Sequence, residues 1–253
     1  MYKRVRVTLG CTMAGVFALS FGATARADCS KLPSHAELRR MLVESVKASG
    51  GPSNGGLDMN MWATVVDRDG VVCAVAFSGH DRGDEWPGSR VISAQKANTA
   101  NAFSLKGLAL STANLYSAVQ PGGSLFGLQA SNPVNTGAAY GGDPTRYGTE
   151  QDPMVGQHIG GVNVFGGGLA LYQNGVLIGA LGVSGDTSCA DHNVAWRVRK
   201  ALGDGKVPNG VSPNHDDAMI YDISDGKSRS GFGHPTCGGK EPGVAQSIGS
   251  GTM

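Results

Sequence analysis

The first periodic signal along the chain is helical. Between His35 and Lys47, the residues Leu38, Met41, Leu42 and Val46 fall on one face, and Ser34 stands where an N-cap would. A Gly/Ser/Asn-rich stretch from Gly50 to Gly56 ends it. Two apolar runs follow, Met61–Val66 and Val71–Phe77, on either side of Asp67-Arg68-Asp69-Gly70. Asp-Gly between β-branched runs predicts a hairpin, because Gly takes the positive φ such a turn demands. The same residues make a poor calcium loop, since the spaced Asp/Asn ligands and the distal Glu are missing. Ser89 to Leu110 is a second helical stretch, whose small face of Ala94, Ala97, Ala100 and Phe103 suits close packing on a sheet. Asn114–Val119 extends or follows it.

From Gln120 to Gly160 the periodicity disappears into Gly, Asn, Pro and Tyr. A loop of that length inside a compact domain is functional or covers something. Strand character resumes at Val162–Phe165, Leu169–Tyr172 and Val176–Val183, with Gln173-Asn174-Gly175 as the turn between the last two. A last helix is expected from Ser188, which would cap it, with Asp191 completing a box-like start. Its apolar face is Val194, Ala195, Val198 and Leu202; Arg197, Arg199 and Lys200 sit in the later turns, where they suit the dipole. Residues 204–253 are rich in Gly, Pro, Asp and Ser and are expected to wrap as an extended tail. Helix, hairpin, helix, long loop, strands and helix do not alternate as a parallel sheet requires. The order predicts an α+β fold, with one antiparallel sheet and helices packed on it.

The N-terminus changes the compartment. Lys3, Arg4 and Arg6 precede an apolar run from about Val7 to Phe21, and Ala25-Arg26-Ala27 follows. That is the anatomy of a signal peptide cleaved after Ala27, and the run falls short of the ~20 residues of a spanning helix. The expected location is periplasmic or secreted, with no membrane attachment after cleavage. Cleavage removes four of the 21 basic residues and none of the 20 acidic ones, turning the net charge from +1 to −3. That balance argues against a nucleic-acid partner, which would need a basic face.

Four cysteines then remain: Cys29, Cys73, Cys189 and Cys237. In an oxidising compartment an even count reads as two disulfides, with three possible pairings. Cys189 with Cys237 would staple the tail to the domain, and Cys29 with Cys73 would tie down the new N-terminus. The competing reading is zinc, because Cys189-x-x-His192 and His234-x-x-Cys237 would each supply two ligands of a tetrahedral site.

Several familiar signals fail. Gly182-Val183-Ser184-Gly185-Asp186 lacks the last glycine of a nucleophile elbow. Neither a Walker loop nor a Gly-x-Gly-x-x-Gly after a strand is present. Cys-x-x-Cys-His is absent, so haem would not be attached covalently. Arg82-Gly83-Asp84 spells an adhesion tripeptide too short to carry an argument. The glycines before the last helix, and Gly166-Gly167-Gly168, are places where a ligand or another backbone could approach. Of the histidines, His80 follows a strand and His158 lies in the long loop, where a metal or haem iron would reach them most easily. Tyr140 and Tyr147 in the same loop are possible phenolate ligands.

Several blocks together have a familiar pattern. These are the Asp67–Gly70 hairpin, Ala94-Gln95-Lys96-Ala97-Asn98-Thr99-Ala100, Gly166-Gly167-Gly168-Leu169-Ala170-Leu171, and Ile178-Gly179-Ala180-Leu181-Gly182-Val183-Ser184-Gly185 with Asp191. They resemble the GlcG/HbpS family of haem-binding proteins, a related domain of which forms the C-terminal part of PduO-type proteins. The resemblance spans about Met61 to Leu202. It implies a profilin-like α/β/α sandwich with a central antiparallel sheet, homo-oligomers, and a small-molecule ligand such as haem b. The family's motif positions fall on Lys96, Thr99, Gly166, Gly167, Gly168, Gly182, Ser184, Gly185 and Asp191; axial ligands vary among members, so none carries over, and His80 and His158 stand as candidates on their own positions. The loop from Gln120 to Gly160 and the tail are longer than in compact members. The chain therefore divides into a signal peptide (1–27), a GlcG/HbpS-like domain (28–203) and the tail (204–253).

Three functions compete. The first is an exported, non-covalent binding protein for haem or a related small molecule, serving scavenging or sensing. The second is an enzyme acting on a small organic acid or cofactor fragment, with Lys96, Asp191 and the helix N-terminus in one polar pocket. The third is an assembly subunit whose loop and tail make oligomer contacts.

Overall fold

The computed structural model describes residues 28–203 and 205–253; the expected signal peptide lies outside the described residues. Four strands form the central antiparallel sheet: β1 (Trp62–Asp67), β2 (Val72–Phe77), β3 (Gly168–Gln173) and β4 (Val176–Ser184), in the order β2-β1-β4-β3. Both hairpin turns form as expected. Asp67 shapes the first, its Oδ1 accepting from the amides of Asp69 (3.0 Å) and Val71 (2.9 Å). Asn174 and Gly175, at φ 51 and 76, make the second with the paired positive φ that matches strand twist.

Side chains alternate across the sheet. Ala63 and Val65 of β1 and Leu181 and Val183 of β4 face Leu38 and Leu42 of α1 (His35–Ser45) and Val194 and Val198 of α5 (Ser188–Ala201). Trp62, Val66, Val75 and Ala180 face Val91, Ala94, Ala97 and Ala100 of α2 (Ser89–Phe103). The result is the α/β/α sandwich that the sequence predicts. Ser34 caps α1 in a reciprocal box with Glu37. Ser34→Ala is expected to cost about 1 kcal/mol, read from the urea midpoint, because the Glu37 amide then loses its acceptor.

Three expectations shift. The second helix stops at Phe103, seven residues early, because Ser104 leaves the helix and its hydroxyl bonds the Leu110 amide at 3.1 Å. Val162–Phe165 is irregular and forms no strand; the Asn163 amide bonds the Thr99 hydroxyl at 3.0 Å instead of a neighbouring strand. The cap of α5 is Thr187, whose hydroxyl accepts from the Ala190 amide, and Asp191 has other partners.

The long loop holds two short helices, α3 (Leu128–Ser131) and α4 (Thr136–Tyr140), and sends Ala139, Met154 and Ile159 into the α2-side core. The tail has more regular structure than its composition suggests. It carries β5 (Met219–Ile220), a small hairpin of β6 (Ile223–Ser224) and β7 (Lys227–Ser228), α6 (Glu241–Ile248) and β8 (Gly251–Thr252), which pairs parallel with β5. Arg199 of α5 holds Asp217 of the tail through two bonds of 2.7 Å, both residues buried. Disulfides join Cys29 to Cys73 and Cys189 to Cys237, the pairing that ties down each end.

Candidate functional site

Lys96, Gly167, Gly168 and Asp191 converge on one point, where the middle of α2 meets the C-terminal end of β4 and the first turn of α5. Lys96 projects from α2, and its Nζ donates to Asp191 Oδ2 at 2.6 Å and to the Val183 carbonyl at 3.1 Å. Asp191, on the first turn of α5, accepts the Asp186 amide on its other oxygen at 2.9 Å. Gly167 and Gly168 pass directly over this pair. A Cβ on Gly167 would lie 2.4 Å from the Val183 carbonyl and 3.1 Å from Lys96 Nζ, and one on Gly168 would lie 2.5 Å from the Lys96 carbonyl. Thr99 bonds the Gln95 carbonyl one turn back and holds the Asn163 amide. Ser184 is buried at the end of β4, opposite Trp62.

These contacts describe a sealed joint. Lys96 is 2% exposed and Asp191 2%, and neither lines any of the five main clefts among the described residues. Burial pushes the Asp191 carboxyl up to about 6 against the opposing pull of Lys96. Two of the three Nζ–H donors and both Asp191 oxygens are thereby engaged with each other and the backbone.

Open space lies at the other residue type that the sequence singles out. His80 is exposed just beyond β2 and lines a cleft of about 450 Å³ with Arg39 of α1, Phe77, Arg82, Tyr147 and Gly148. Phe77 stacks on Trp62 with ring centroids 4.6 Å apart, which gives the cleft a rigid aromatic base. Gly148, at φ +76, seats the long loop on that base: a Cβ there would come within 3.0 Å of the Trp62 ring. The wall is fixed from behind. Buried Arg90 stacks 3.6 Å over the Tyr147 ring and pairs through Nε with Asp152 at 2.8 Å, and Asp152 accepts the Gly148 amide at 2.8 Å. Two guanidinium groups, one carboxylate (Asp81), one imidazole and two aromatic rings thus border one depression.

The remaining candidates are placed apart. His158 is exposed and bridges Val71 at the hairpin end of β2, whereas His80 lies beyond its opposite end. A six-residue strand separates them by about 20 Å, so the two cannot hold one iron. Tyr147 reaches the cleft, but its hydroxyl lies 3.2 Å and 3.3 Å from the Tyr140 and Gly141 carbonyls, to which it can only donate. Tyr140 is exposed. A second groove, of about 780 Å³ between residues 116–124 and the tail hairpin, is lined by Tyr116, Gln120, Ile223 and Lys227 and carries no imidazole. Arg39 and Phe77 were not marked by the sequence as site residues; their segments signal a helix and a strand, and nothing local signals a site.

The described residues form an antiparallel α/β/α sandwich with an open cleft beyond one end of β2 and a buried Lys96–Asp191 pair beneath the glycine run. Residues 54–199 match the model of the family described as "Haem degrading protein HbpS-like", and the chain belongs to that family. None of the curated proteins matches it. Among solved structures it is similar to a PduOC–haem complex, at 25% identity and TM-score 0.44 over 66% of this chain and 89% of that one. It is similar also to protein ORFY of Klebsiella pneumoniae, at 27% identity and TM-score 0.45 over 68% and 90%. A third is a double mutant of HbpS from Streptomyces reticuli, at 15% identity and TM-score 0.45 over 77% and 99%. Among the described residues, no helix is long and apolar enough to cross a membrane.

Proposed function

We propose that this chain is an exported protein that binds haem b non-covalently in the His80 cleft. The observation that carries the reading is the cleft itself: an exposed imidazole that shares one depression with Arg39, Arg82 and Asp81, beside the Phe77 ring that stacks on Trp62. Neutral imidazole is a good axial ligand, guanidinium groups pair with propionates, and aromatic edges contact the porphyrin face. Bound haem would supply the redox chemistry of its iron; His80, Arg39 and Arg82 supply grip, orientation and charge. The cleft is open, so one haem face stays uncovered, which suits a homo-oligomer in which a second copy covers it. Membership of the HbpS-like family supports the ligand, and two disulfides fit a periplasmic or secreted location. Scavenging or sensing fits this arrangement better than catalysis, because Lys96 and Asp191 are sealed against each other. The tail packs on its own α5, so it lends an assembly-subunit role little support.

Titration with haemin tests the reading. We expect a saturable Soret shift at one haem per chain, weakened about 10- to 100-fold by His80→Ala and left unchanged by His158→Ala. Uptake that does not saturate, or that is the same in His80→Ala, removes the proposal.

A further inference from the structure

A second cluster lies at the first turn of α5, against the tail, and none of its residues lines the His80 cleft. Cys189, Cys237 and His234 bring Sγ, Sγ and a ring nitrogen within 4.8 Å of one another. His192, the other histidine of the zinc reading, is buried elsewhere against Trp196, and neither of its ring nitrogens has a partner.

The setting of His234 is unusual for a residue that merely packs on a disulfide. It is 1% exposed, and its Nδ1 lies 2.7 Å from the Pro235 carbonyl. That bond puts the ring proton on Nδ1 and leaves the Nε2 lone pair facing the cluster, 3.4 Å from the Ser188 hydroxyl. The sulfur side is prepared as well. Cys237 Sγ accepts the Cys189 amide at 3.2 Å, on the first turn of α5, where free N–H groups favour a thiolate. The Ser188 hydroxyl also lies 3.5 Å from Cys237 Sγ.

We infer that Cys189, Cys237 and His234 form a redox-gated zinc site, masked as a disulfide when oxidised and open to Zn²⁺ when reduced. A dithiol reductant delivers two electrons and two protons; the S–S bond breaks, two thiols form, and the reductant leaves as its own disulfide. Zinc binding then releases the two thiol protons to solvent. Two thiolates and one imidazole make three ligands of a tetrahedral ion, with water or the Ser188 hydroxyl in the fourth position. The tail is tied to α5 in either state, by the covalent bond or by the ion. This inference does not depend on haem binding.

Cobalt(II), a spectroscopic stand-in for zinc, tests it on the full chain, anaerobically, with and without a phosphine reductant. The reduced protein should bind one equivalent, giving tetrahedral d–d bands and a thiolate charge-transfer band, while the oxidised protein shows neither. Cys189→Ser with Cys237→Ser should abolish the charge-transfer band. Cys29→Ser with Cys73→Ser should keep it, which locates the site from the other side should the first variant fail to fold. His234→Ala should change the d–d bands and weaken binding roughly 100-fold. Zinc at about 100 times its dissociation constant should raise the midpoint potential of the disulfide by about 59 mV. Reduced protein that shows no such bands, whether folded or unfolded, overturns the inference. So do bands that survive the loss of both cysteines, or that are unaltered in His234→Ala.

Discussion

Lys96→Met is expected to lower the unfolding free energy at neutral pH by about 3–5 kcal/mol, the usual cost of orphaning one partner of a buried pair. Among the described residues the ammonium group is the only cation that Asp191 meets, at 2.6 Å, and the side chains are 2% and 3% exposed. Without it the carboxylate keeps the Asp186 amide alone. Burial already pushes Asp191 up to about 6, so its charge depends on Lys96. Acid should therefore soften the defect, because a neutral Asp191 needs no counter-charge. Adding Asp191→Leu should recover part of the loss, since hydrophobic replacement of a whole buried pair is often close to neutral. Recovery stops short because the Asp186 amide is then left without an acceptor, at about 1–3 kcal/mol. Urea denaturation of the wild type, the single variant and the double variant measures all three quantities. A single-variant loss below about 1 kcal/mol would contradict the sealed joint and reopen the question of a pocket at Lys96.

That joint also shows what sequence reading reaches and where it stops. Lys96, Gly167, Gly168 and Asp191 stand out as motif positions, and the structure brings them together. Their mutual satisfaction is invisible in the sequence, because the pair is 95 positions apart and either residue alone could serve a pocket. Local geometry was the legible part: Asp67–Gly70 and Asn174-Gly175 turn the hairpins because few residues tolerate those φ values, and Ser34 with Glu37 starts α1. Elements failed where side chains compete with the backbone. Ser104 takes the Leu110 amide and ends α2, although the Ala/Leu composition continues. Thr99 takes the Asn163 amide and denies Val162–Phe165 a strand partner. The cleft was half legible. His80 follows directly from its place after a strand, but Arg39, Phe77 and Tyr147 meet only once the long loop folds back over the sheet.

Raising the pH from about 4.5 to 8 should cost the protein about 2–4 kcal/mol of stability through one group, Glu85. It is 3% exposed on the segment leading into α2, and among the described residues it has no cationic partner. Oε1 accepts from the Ser89 hydroxyl at 3.0 Å, while Oε2 has no partner, like the buried indole nitrogen of Trp62. Desolvation pushes its carboxyl up to about 8, helped slightly by the charge of Asp191 and opposed by the Ser89 hydroxyl. The unfolded chain releases that proton near 4.5, the ordinary value. Between these limits the folded state holds more protons than the unfolded one. The stabilisation is therefore complete below about 4.5 and is lost as pH rises through about 8. Glu85→Gln, which cannot ionise, should flatten the profile over this range and make the protein more stable than wild type at pH 8. Ser89→Ala should steepen it, since the ionised form loses its hydroxyl donor. Urea midpoints measured across this range decide the matter: a Glu85→Gln profile parallel to wild type would mean that Glu85 ionises normally in the folded protein. Trp62 supplies an independent reading, because its ring lies beside Glu85 and stacks on Phe77. Its fluorescence should titrate near pH 8 in the wild type and not in Glu85→Gln.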